Sequence, residues 1–288
     1  MNKEILEEAN KLIKHEDINE TFIDTVKLFK TSTFRQRGPV TYEFCLIIVL
    51  QGKKYGYLPN KTFEYNPKNY LVVPTSIPFE CETIASQEEP FICIAIEIKK
   101  DMMYDIISSI ASEGAKKCKV VQMGLFQDKA TSELEDTIFR LLKILQSKQK
   151  SNILGDAILK EIFYEIATGE NAHFLHKMFL NQKQEAKIAK ALKNIHDNFN
   201  QSLDIPTLAK QEDMSVSSFH NHFKNITSYS PLQYIKKIRL NKAKDLIEQK
   251  NMQVNNTAYA VGYESASQFS KDFKSYFGYP PKEAKIAL

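Results

Sequence analysis

The chain has 288 residues, which suggests two domains, and its 43% hydrophobic residues exclude a wholly disordered protein. The longest unbroken apolar run, Phe44 to Leu50, is far shorter than the ~20 residues that a membrane span requires. Without an apolar signal core, the sequence indicates a soluble cytoplasmic protein with no membrane partner. The scattered cysteines favour buried thiols over disulfides or a zinc site. They are Cys45, Cys81, Cys93 and Cys118.

The net charge of +4 is unevenly distributed along the chain. Residues 1–170 hold 22 Lys+Arg and 25 Asp+Glu, a net charge of −3, whereas residues 171–288 hold 17 and 10, a net charge of +7. A basic C-terminal third on a slightly acidic body suggests a module that binds a polyanion such as nucleic acid. An ordinary solvated surface would also account for a surplus of this size.

Residues 36–98 contain short apolar and aromatic segments separated by turn residues. Phe44–Leu50 is rich in β-branched residues and stops before Gly52, while Tyr70–Val73 and Phe91–Ile98 each border a proline. Short strands about 8–12 residues apart are typical of an antiparallel barrel or sandwich. We therefore predict an α+β protein whose first half is a β-barrel followed by helices.

After Lys100 the apolar residues recur at helical spacing. Helices are predicted at about 129–148, at 153–169 and at 174–181, and from about Glu185 the chain is expected to be all helix. The apolar stripe of the first helix either forms a dimer seam or is buried against the barrel, and the sequence leaves both open. The stripe consists of Leu134, Ile138, Leu141, Leu142 and Leu145.

Residues 204–227 follow a helix-turn-helix pattern. Asp204 can cap a short first helix, Met214 and Ser215 form the turn, and Ser215 caps the second helix, Val216–Thr227. The predicted buried stripe of this helix is Val216, Phe219, Phe223 and Ile226. The opposite face presents short polar side chains suited to base edges and a lysine suited to phosphate. These candidate DNA-binding residues are Ser217, Ser218, His220, Asn221 and Lys224.

The same pattern recurs about 50 residues later. Val254–Val261 is a predicted helix, Gly262 supplies the turn, and Ser265 caps the next helix with Gln268 completing a capping box. Two phenylalanines of each apolar stripe repeat after 50 residues, namely Phe219 with Phe269 and Phe223 with Phe273. The candidate DNA-binding residues of this second unit are Ser267, Gln268, Ser270, Lys271 and Lys274.

A long helix is predicted between the two units, from Pro231 to about Gln249, with Ser230 as its cap. Its length, ~28 Å at 1.5 Å per residue, is close to the ~34 Å between successive major-groove turns. A rod of this length could hold two recognition helices in adjacent turns. Its lysines form either a solvated face or phosphate contacts. They are Lys236, Lys237, Lys242 and Lys244.

These motifs resemble those of the AraC/XylS-type transcriptional regulators. The resemblance covers residues ~185–286 and rests on three segments: Met214-Ser215-x-Ser217-x-Phe219-x-x-x-Phe223-Lys224, Ser230-Pro231-x-x-Tyr234-x-x-x-x-Arg239-Leu240-x-x-Ala243 and Ala260-Val261-Gly262-Tyr263-Glu264-Ser265-x-Ser267-x-Phe269-Ser270-x-x-Phe273-Lys274-x-x-Phe277-Gly278-x-x-Pro281. Residues ~30–170 resemble, less specifically, the family's cupin-like effector domain through Leu50–Lys53 and Tyr70–Pro74.

The resemblance implies a cupin-like sensor and oligomerisation domain at 1–175 and a tandem helix-turn-helix DNA-binding domain at 185–288. It implies double-stranded DNA and a small-molecule effector as partners, with RNA polymerase and a second copy of the chain as further candidates, and no cofactor. Two departures stand out. The family usually has Gly at Ser228, so the shape of that helix end is in question. Asn221 and Lys271 stand where Arg is frequent, so an Arg fork on guanine is not available.

Two other functional classes compete with the regulator. One is a metal-free cupin-type enzyme carrying a DNA-binding appendage, and the other is a module that binds proteins. Residues 16–172 contain no His, which argues against a His-ligated metal in the barrel. His220 and His222 diverge by ~200° on a helix and cannot share a metal. We therefore predict that the chain is not an enzyme.

Aromatic side chains of the barrel are either core residues or the lining of an apolar ligand pocket. They are Tyr42, Phe44, Tyr55, Tyr57, Phe63, Tyr65, Tyr70, Phe79 and Phe91.

Overall fold

A computed structural model describes residues 3–42, 44–59, 61–74, 77–112, 125–179, 183–250 and 252–285. In chain order the elements are α1 (Lys3–Leu12), β1 (Asp17–Glu20), β2 (Val26–Thr31), β3 (Arg35–Tyr42), β4 (Cys45–Gln51), β5 (Lys53–Leu58), β6 (Lys61–Tyr65), β7 (Asn69–Val73), β8 (Ile77–Ile84), β9 (Phe91–Glu97), α2 (Lys100–Ser112), β10 (Phe126–Lys129), α3 (Ser132–Ile144), α4 (Lys148–Thr168), α5 (His173–Phe179), α6 (Lys183–Asp197), α7 (Ile205–Gln211), α8 (Val216–Thr227), α9 (Pro231–Lys250), α10 (Val254–Ala260), α11 (Ala266–Phe277) and a final 3-10 helix (Pro281–Lys285). The predicted arrangement, an antiparallel β-structure followed by helices, is confirmed.

The strands form two sheets, one of six strands in the order β1-β2-β9-β4-β7-β10 and one of four in the order β3-β8-β5-β6. Neighbouring strands pair antiparallel in both sheets. On β5 the buried residues alternate with partly exposed ones, so that Lys54, Gly56 and Leu58 point inward. Aromatic rings from the two sheets fill much of the space between them.

The apolar stripe of α3 lies in the core of the chain. Leu134, Ile138 and Leu141 are fully buried, and α3 packs against α1 and α4. Thr131 and Ser147 cap α3 and α4, so the predicted helix at 129–148 ends earlier and a new helix begins at Lys148. Because the chain itself covers this stripe, burial rather than a dimer seam accounts for it.

The C-terminal helices form two apolar clusters that share α9. Tyr234, Ile235 and Ile238, in its first half, belong to the cluster that includes α7 and α8. Leu240 and Ala243, in its second half, belong to the cluster of α10 and α11. α9 has 20 residues, or ~30 Å, and is therefore packed along its length by both helix-turn-helix units.

Three strands lie outside the segment predicted to be β-structure: β1, β2 and β10. Two of them, β1 and β10, have four residues each, too few to show an alternating pattern. Over the described ranges, no helix is long and apolar enough to cross a membrane. Cys81 and Cys93 are buried thiols, as expected, whereas Cys45 is only half-buried and Cys118 lies outside the described residues.

Candidate nucleic-acid interface

The two candidate recognition helices, α8 and α11, begin with the same cap. The Oγ of Ser215 accepts a hydrogen bond from the Ser218 amide at 3.3 Å. The Oγ of Ser265 accepts one from the Gln268 amide, also at 3.3 Å. Such a cap is worth ~1 kcal/mol and fixes where the helix starts. Both turns therefore deliver the next helix in a defined position.

Paired phenylalanines hold each helix against the rest of its unit. The rings of Phe219 and Phe223 are 5.5 Å apart on α8, and those of Phe269 and Phe273 are 5.6 Å apart on α11. All four side chains are fully buried. Val216, in contrast, is 42% exposed, so its predicted burial is wrong. It lies in the first turn, where α8 extends away from the core.

The opposite faces of α8 and α11 expose matching positions. Ser217, Asn221 and Lys224 are exposed on α8, whereas Ser218 and His220 are half-buried. Fifty residues later Ser267, Lys271 and Lys274 are exposed in the same places, together with Gln268, and Ser270 is half-buried. The structure thus brings most of the predicted residues onto two equivalent helical faces.

Three of the predicted serines have hydrogen-bond partners within their own helix or its cap. The Ser270 hydroxyl donates to the Ala266 carbonyl at 2.9 Å. The Ser218 carbonyl lies 2.9 Å from Nδ1 of His222, and its hydroxyl lies 3.4 Å from the same nitrogen. The Ser217 hydroxyl lies 3.3 Å from the hydroxyl of the cap residue Ser215. The hydroxyls of Ser218 and Ser270 are therefore directed along their own helix, and that of Ser217 toward the cap at the helix start. In the described part of the chain, no cluster of three or more His, Cys, Asp or Glu could hold a metal ion.

Asp272 organises the second unit, and sequence reasoning missed it. Its carboxylate accepts hydrogen bonds from Nε2 of Gln268 at 3.0 Å and from the hydroxyl of Tyr263 at 3.3 Å. Lys236 of α9 forms an ion pair with it at 2.7 Å. Asp272 therefore ties α9 to α11 and orients the amide of Gln268. The signal in the sequence was the i, i+4 spacing of Gln268 and Asp272 on one helix.

The lysines of α9 make contacts within the chain, unlike a simply solvated face. The ammonium of Lys237 lies 4.8 Å from the ring centre of Tyr229 and 4.2 Å from that of Tyr276. Burial lowers the pKa of Lys237. Burial also raises the pKa of Tyr229 to about 12, and the negative charge of Glu80 contributes a smaller part of this increase. Lys244 forms an ion pair at 3.7 Å with the carboxylate of Glu248.

Glu80 belongs to β8 of the barrel, which contacts the C-terminal helical half directly. β3 contacts both α9 and α11, and β8 contacts α9. Arg37 of β3 donates to Glu80 at 2.6 Å on this side of the barrel. The two halves of the chain therefore contact each other directly through β3 and β8.

Ser228 ends α8 in the left-handed conformation, with φ 66° and ψ 2°. Its amide donates to the Lys224 carbonyl, as the amide of Gly278 does to the Lys274 carbonyl at the end of α11. The helix end therefore keeps the usual left-handed cap although a non-Gly residue occupies it. A side chain in this conformation costs about 1–2 kcal/mol.

Replacing Ser228 with glycine is expected to stabilise the protein by about 0.5–1 kcal/mol, because the relief of backbone strain outweighs the greater freedom of glycine in the unfolded chain. Urea unfolding of the full chain would measure the change as a higher midpoint at unchanged slope. Ser228→Ala, which keeps the Cβ atom, is the control, and an equal gain there would contradict the explanation.

Comparisons with known proteins address both halves of the chain. The family model described as the AraC-type transcriptional regulator N-terminus matches residues 22–174, more than half of the chain. A second model, described as a helix-turn-helix domain, matches residues 208–285. The chain belongs to the AraC-type transcriptional regulators. Membership in this AraC-type family confirms the resemblance and favours a regulator over a cupin-type enzyme.

Named relatives agree with this assignment. The HTH-type transcriptional activator RhaS of Mannheimia succiniciproducens is 24% identical over 55% of this chain and 57% of its own length. The HTH-type transcriptional regulator GbdR of Pseudomonas aeruginosa is 27% identical over 49% of this chain and 39% of its own length. The chain thus spans about half the length of these AraC-type relatives or less.

A solved structure shows the same overall arrangement. The structure of ToxT from Vibrio cholerae, solved with a bound unsaturated fatty acid, matches with a TM-score of 0.60 at 14% sequence identity. The match covers 91% of this chain and 95% of that one. The fold of this chain, sheets followed by helices, is therefore similar to that of ToxT.

Proposed function

We propose that the chain binds double-stranded DNA with α8 and α11 in successive major-groove turns and thereby controls transcription. The observation that carries the proposal is the correspondence of the two exposed faces, position by position, over 50 residues. Both faces carry short polar groups near the helix start and a lysine two turns later. This arrangement suits base edges at the N-terminal end and phosphates further along.

The proposal assigns a role to each exposed side chain. On α8, Ser217, His220 and Asn221 read base edges and Lys224 binds phosphate. On α11, Ser267, Gln268 and Lys271 read base edges. Lys274 and the capped start of the helix bind phosphates. Ser218 and Ser270 are assigned to the edges of the interface, because they are half-buried and their hydroxyls bond within the helix. Asp272 positions Gln268.

The first half of the chain is proposed to sense a small molecule. The ToxT structure contains a fatty acid, and this likeness supports an effector for the present chain. We place the sensor domain at 1–175 and the DNA-binding domain at 185–288, in a protein that acts in the cytoplasm, where its DNA would lie. A homodimer and a contact with RNA polymerase stay predictions.

Asn221→Ala is expected to reduce discrimination at one base pair of the operator by about 1–3 kcal/mol, if the amide bonds two groups of adenine. Affinity for unrelated DNA should change little. Binding of the full chain to an operator selected from random DNA, and to its single-base variants, would measure both quantities.

Lys274→Ala is the matched comparison, because Lys274 is exposed on the corresponding helix and carries only a charge. It should weaken binding to all sequences alike and lower the slope of log affinity against log salt by about one. Uniform weakening by Asn221→Ala, or sequence-dependent weakening by Lys274→Ala, would refute the assigned roles.

A further inference from the structure

Lys54 is the one Lys or Arg side chain that is buried in the described part of the chain, at 9% exposure. It lies on β5 and points between the two sheets. Its ammonium is 4.8 Å from the ring centre of Phe29 and 4.6 Å from that of Phe91, both of the six-stranded sheet. The Tyr42 hydroxyl, 3.5 Å away, accepts a hydrogen bond from it.

The hydroxyl and thiol groups that follow Lys54 on the inner side are neutral. Tyr42 and Tyr65 share a hydrogen bond at 3.1 Å, and the Tyr65 hydroxyl lies 3.0 Å from Sγ of Cys81. Burial raises the pKa of both tyrosines and of Cys81, and raises the pKa of Cys93 to about 11. Within the described ranges, no carboxylate forms an ion pair with Lys54. The nearby cation Arg35 already pairs with Asp17.

A buried ammonium without a counterion is unfavourable, and two aromatic rings compensate it only in part. The remaining N–H groups are therefore suited to an anion from outside. The inner face around them is not completely closed, since Phe29, Tyr42 and Ala95 are only half-buried. One polar anchor within an aromatic and aliphatic lining is the usual composition of a small-molecule site.

We infer that the barrel binds a carboxylate with an apolar body, whose carboxylate group is held by Lys54 and the hydroxyl of Tyr42. A single positive charge without an Arg fork matches a monoanion better than a phosphate dianion. The rings of Phe29 and Phe91 and the side chain of Val49 would surround the apolar part. This inference rests on the proposed effector-sensing role of the barrel and names the chemical class of the effector.

The test uses titration calorimetry of the full chain with octanoate, decanoate, benzoate and 3-phenylpropionate, each beside its primary amide. At least one carboxylate should bind, and its amide, which has the same shape but no charge, should bind at least about tenfold more weakly. Lys54→Met should bind the same carboxylate more weakly by a similar factor. Lys53→Met, which removes the neighbouring outward-facing lysine, should bind like the unmodified chain.

Several results would overturn the inference: no carboxylate of the panel binds, the amide binds equally well, Lys54→Met retains the affinity, or Lys53→Met loses as much. Lys54→Met should fold, since apolar replacement of a buried charge is often neutral or stabilising. If it does not, the comparison of acid and amide on the unmodified chain still decides. DNA binding without any probe is measured in parallel. Its absence would refute the regulator and not the carboxylate site, while DNA binding without carboxylate binding would refute only the site.

Discussion

Inserting five base pairs between the two half-sites of the operator is expected to lower the affinity of the full chain at least about 100-fold, to that of one unit. Five base pairs are about half a helical turn, so the second half-site rotates to the other side of the duplex. α9 cannot follow this rotation, because its first half packs with α8 and its second half with α11. Lys236 and Asp272 add a polar connection across the same elements.

Inserting ten base pairs distinguishes a rigid connection from a flexible one. This operator returns the second half-site to the same face but moves it ~34 Å further along the duplex. A helix of 20 residues spans ~30 Å and cannot extend to bridge the added distance, so binding should stay weak. Recovery of affinity with ten base pairs would contradict the role of α9, and no loss with five would mean that one unit alone reads the DNA.

The helix-turn-helix units could be predicted in detail because their signals are local. Caps such as Ser215 and Ser265, the proline at the start of α9 and the repeated phenylalanines each act within one or two helical turns. The predicted starts of α8, α9 and α11 agree with the structure to within a residue. The ion pair of Lys236 on α9 with Asp272 on α11, in contrast, depends on a contact between two helices that no local pattern specified.

The inside of the barrel could not be predicted in this way. The segment Lys53–Leu58 alternates lysine, tyrosine and glycine, and hydrophobicity alone would place Tyr55 and Tyr57 inside and Lys54 outside. The structure shows the reverse, because the pairing of β5 with β8 and β6 sets the register. The inward Gly56 leaves room for the ring of Phe63, which a Cβ atom there would meet at 2.2 Å.

The contact of the barrel with α9 and α11 is also non-local, since it joins residues about 200 positions apart. β3 carries Tyr42 beside Lys54 on its inner side and, further along, contacts the DNA-binding half. A ligand inside the barrel can change DNA affinity only if it binds two arrangements of this contact unequally. β3 therefore connects the proposed effector site directly with α9 and α11.

Gly262→Ala is expected to destabilise the protein by about 2–5 kcal/mol, because backbone strain and a steric clash add at this position. Gly262 forms the turn of the second unit with φ 86°, where an alanine costs about 1–2 kcal/mol. A Cβ atom there would also lie 2.6 Å from the backbone carbonyl oxygen of Asn200, in the segment that precedes α7. Arg239 holds this segment through the Phe199 and Gln201 carbonyls, so it cannot withdraw freely. The resulting displacement adds a packing cost of about 1–3 kcal/mol.

Gly278→Ala provides a control with the same backbone conformation. Its φ is also 86°, but no atom lies within 4 Å of the added Cβ, so only the conformational cost of about 1–2 kcal/mol applies. Urea unfolding of both variants would isolate the contribution of the Asn200 contact as their difference. Because this contact joins the turn of the second unit to the entry of the first, Gly262→Ala should also weaken binding to the two-half-site operator more than Gly278→Ala does. Equal destabilisation of the two variants would show that the segment around Asn200 moves away from the added Cβ atom at little cost. The two units would then not be held together by this contact.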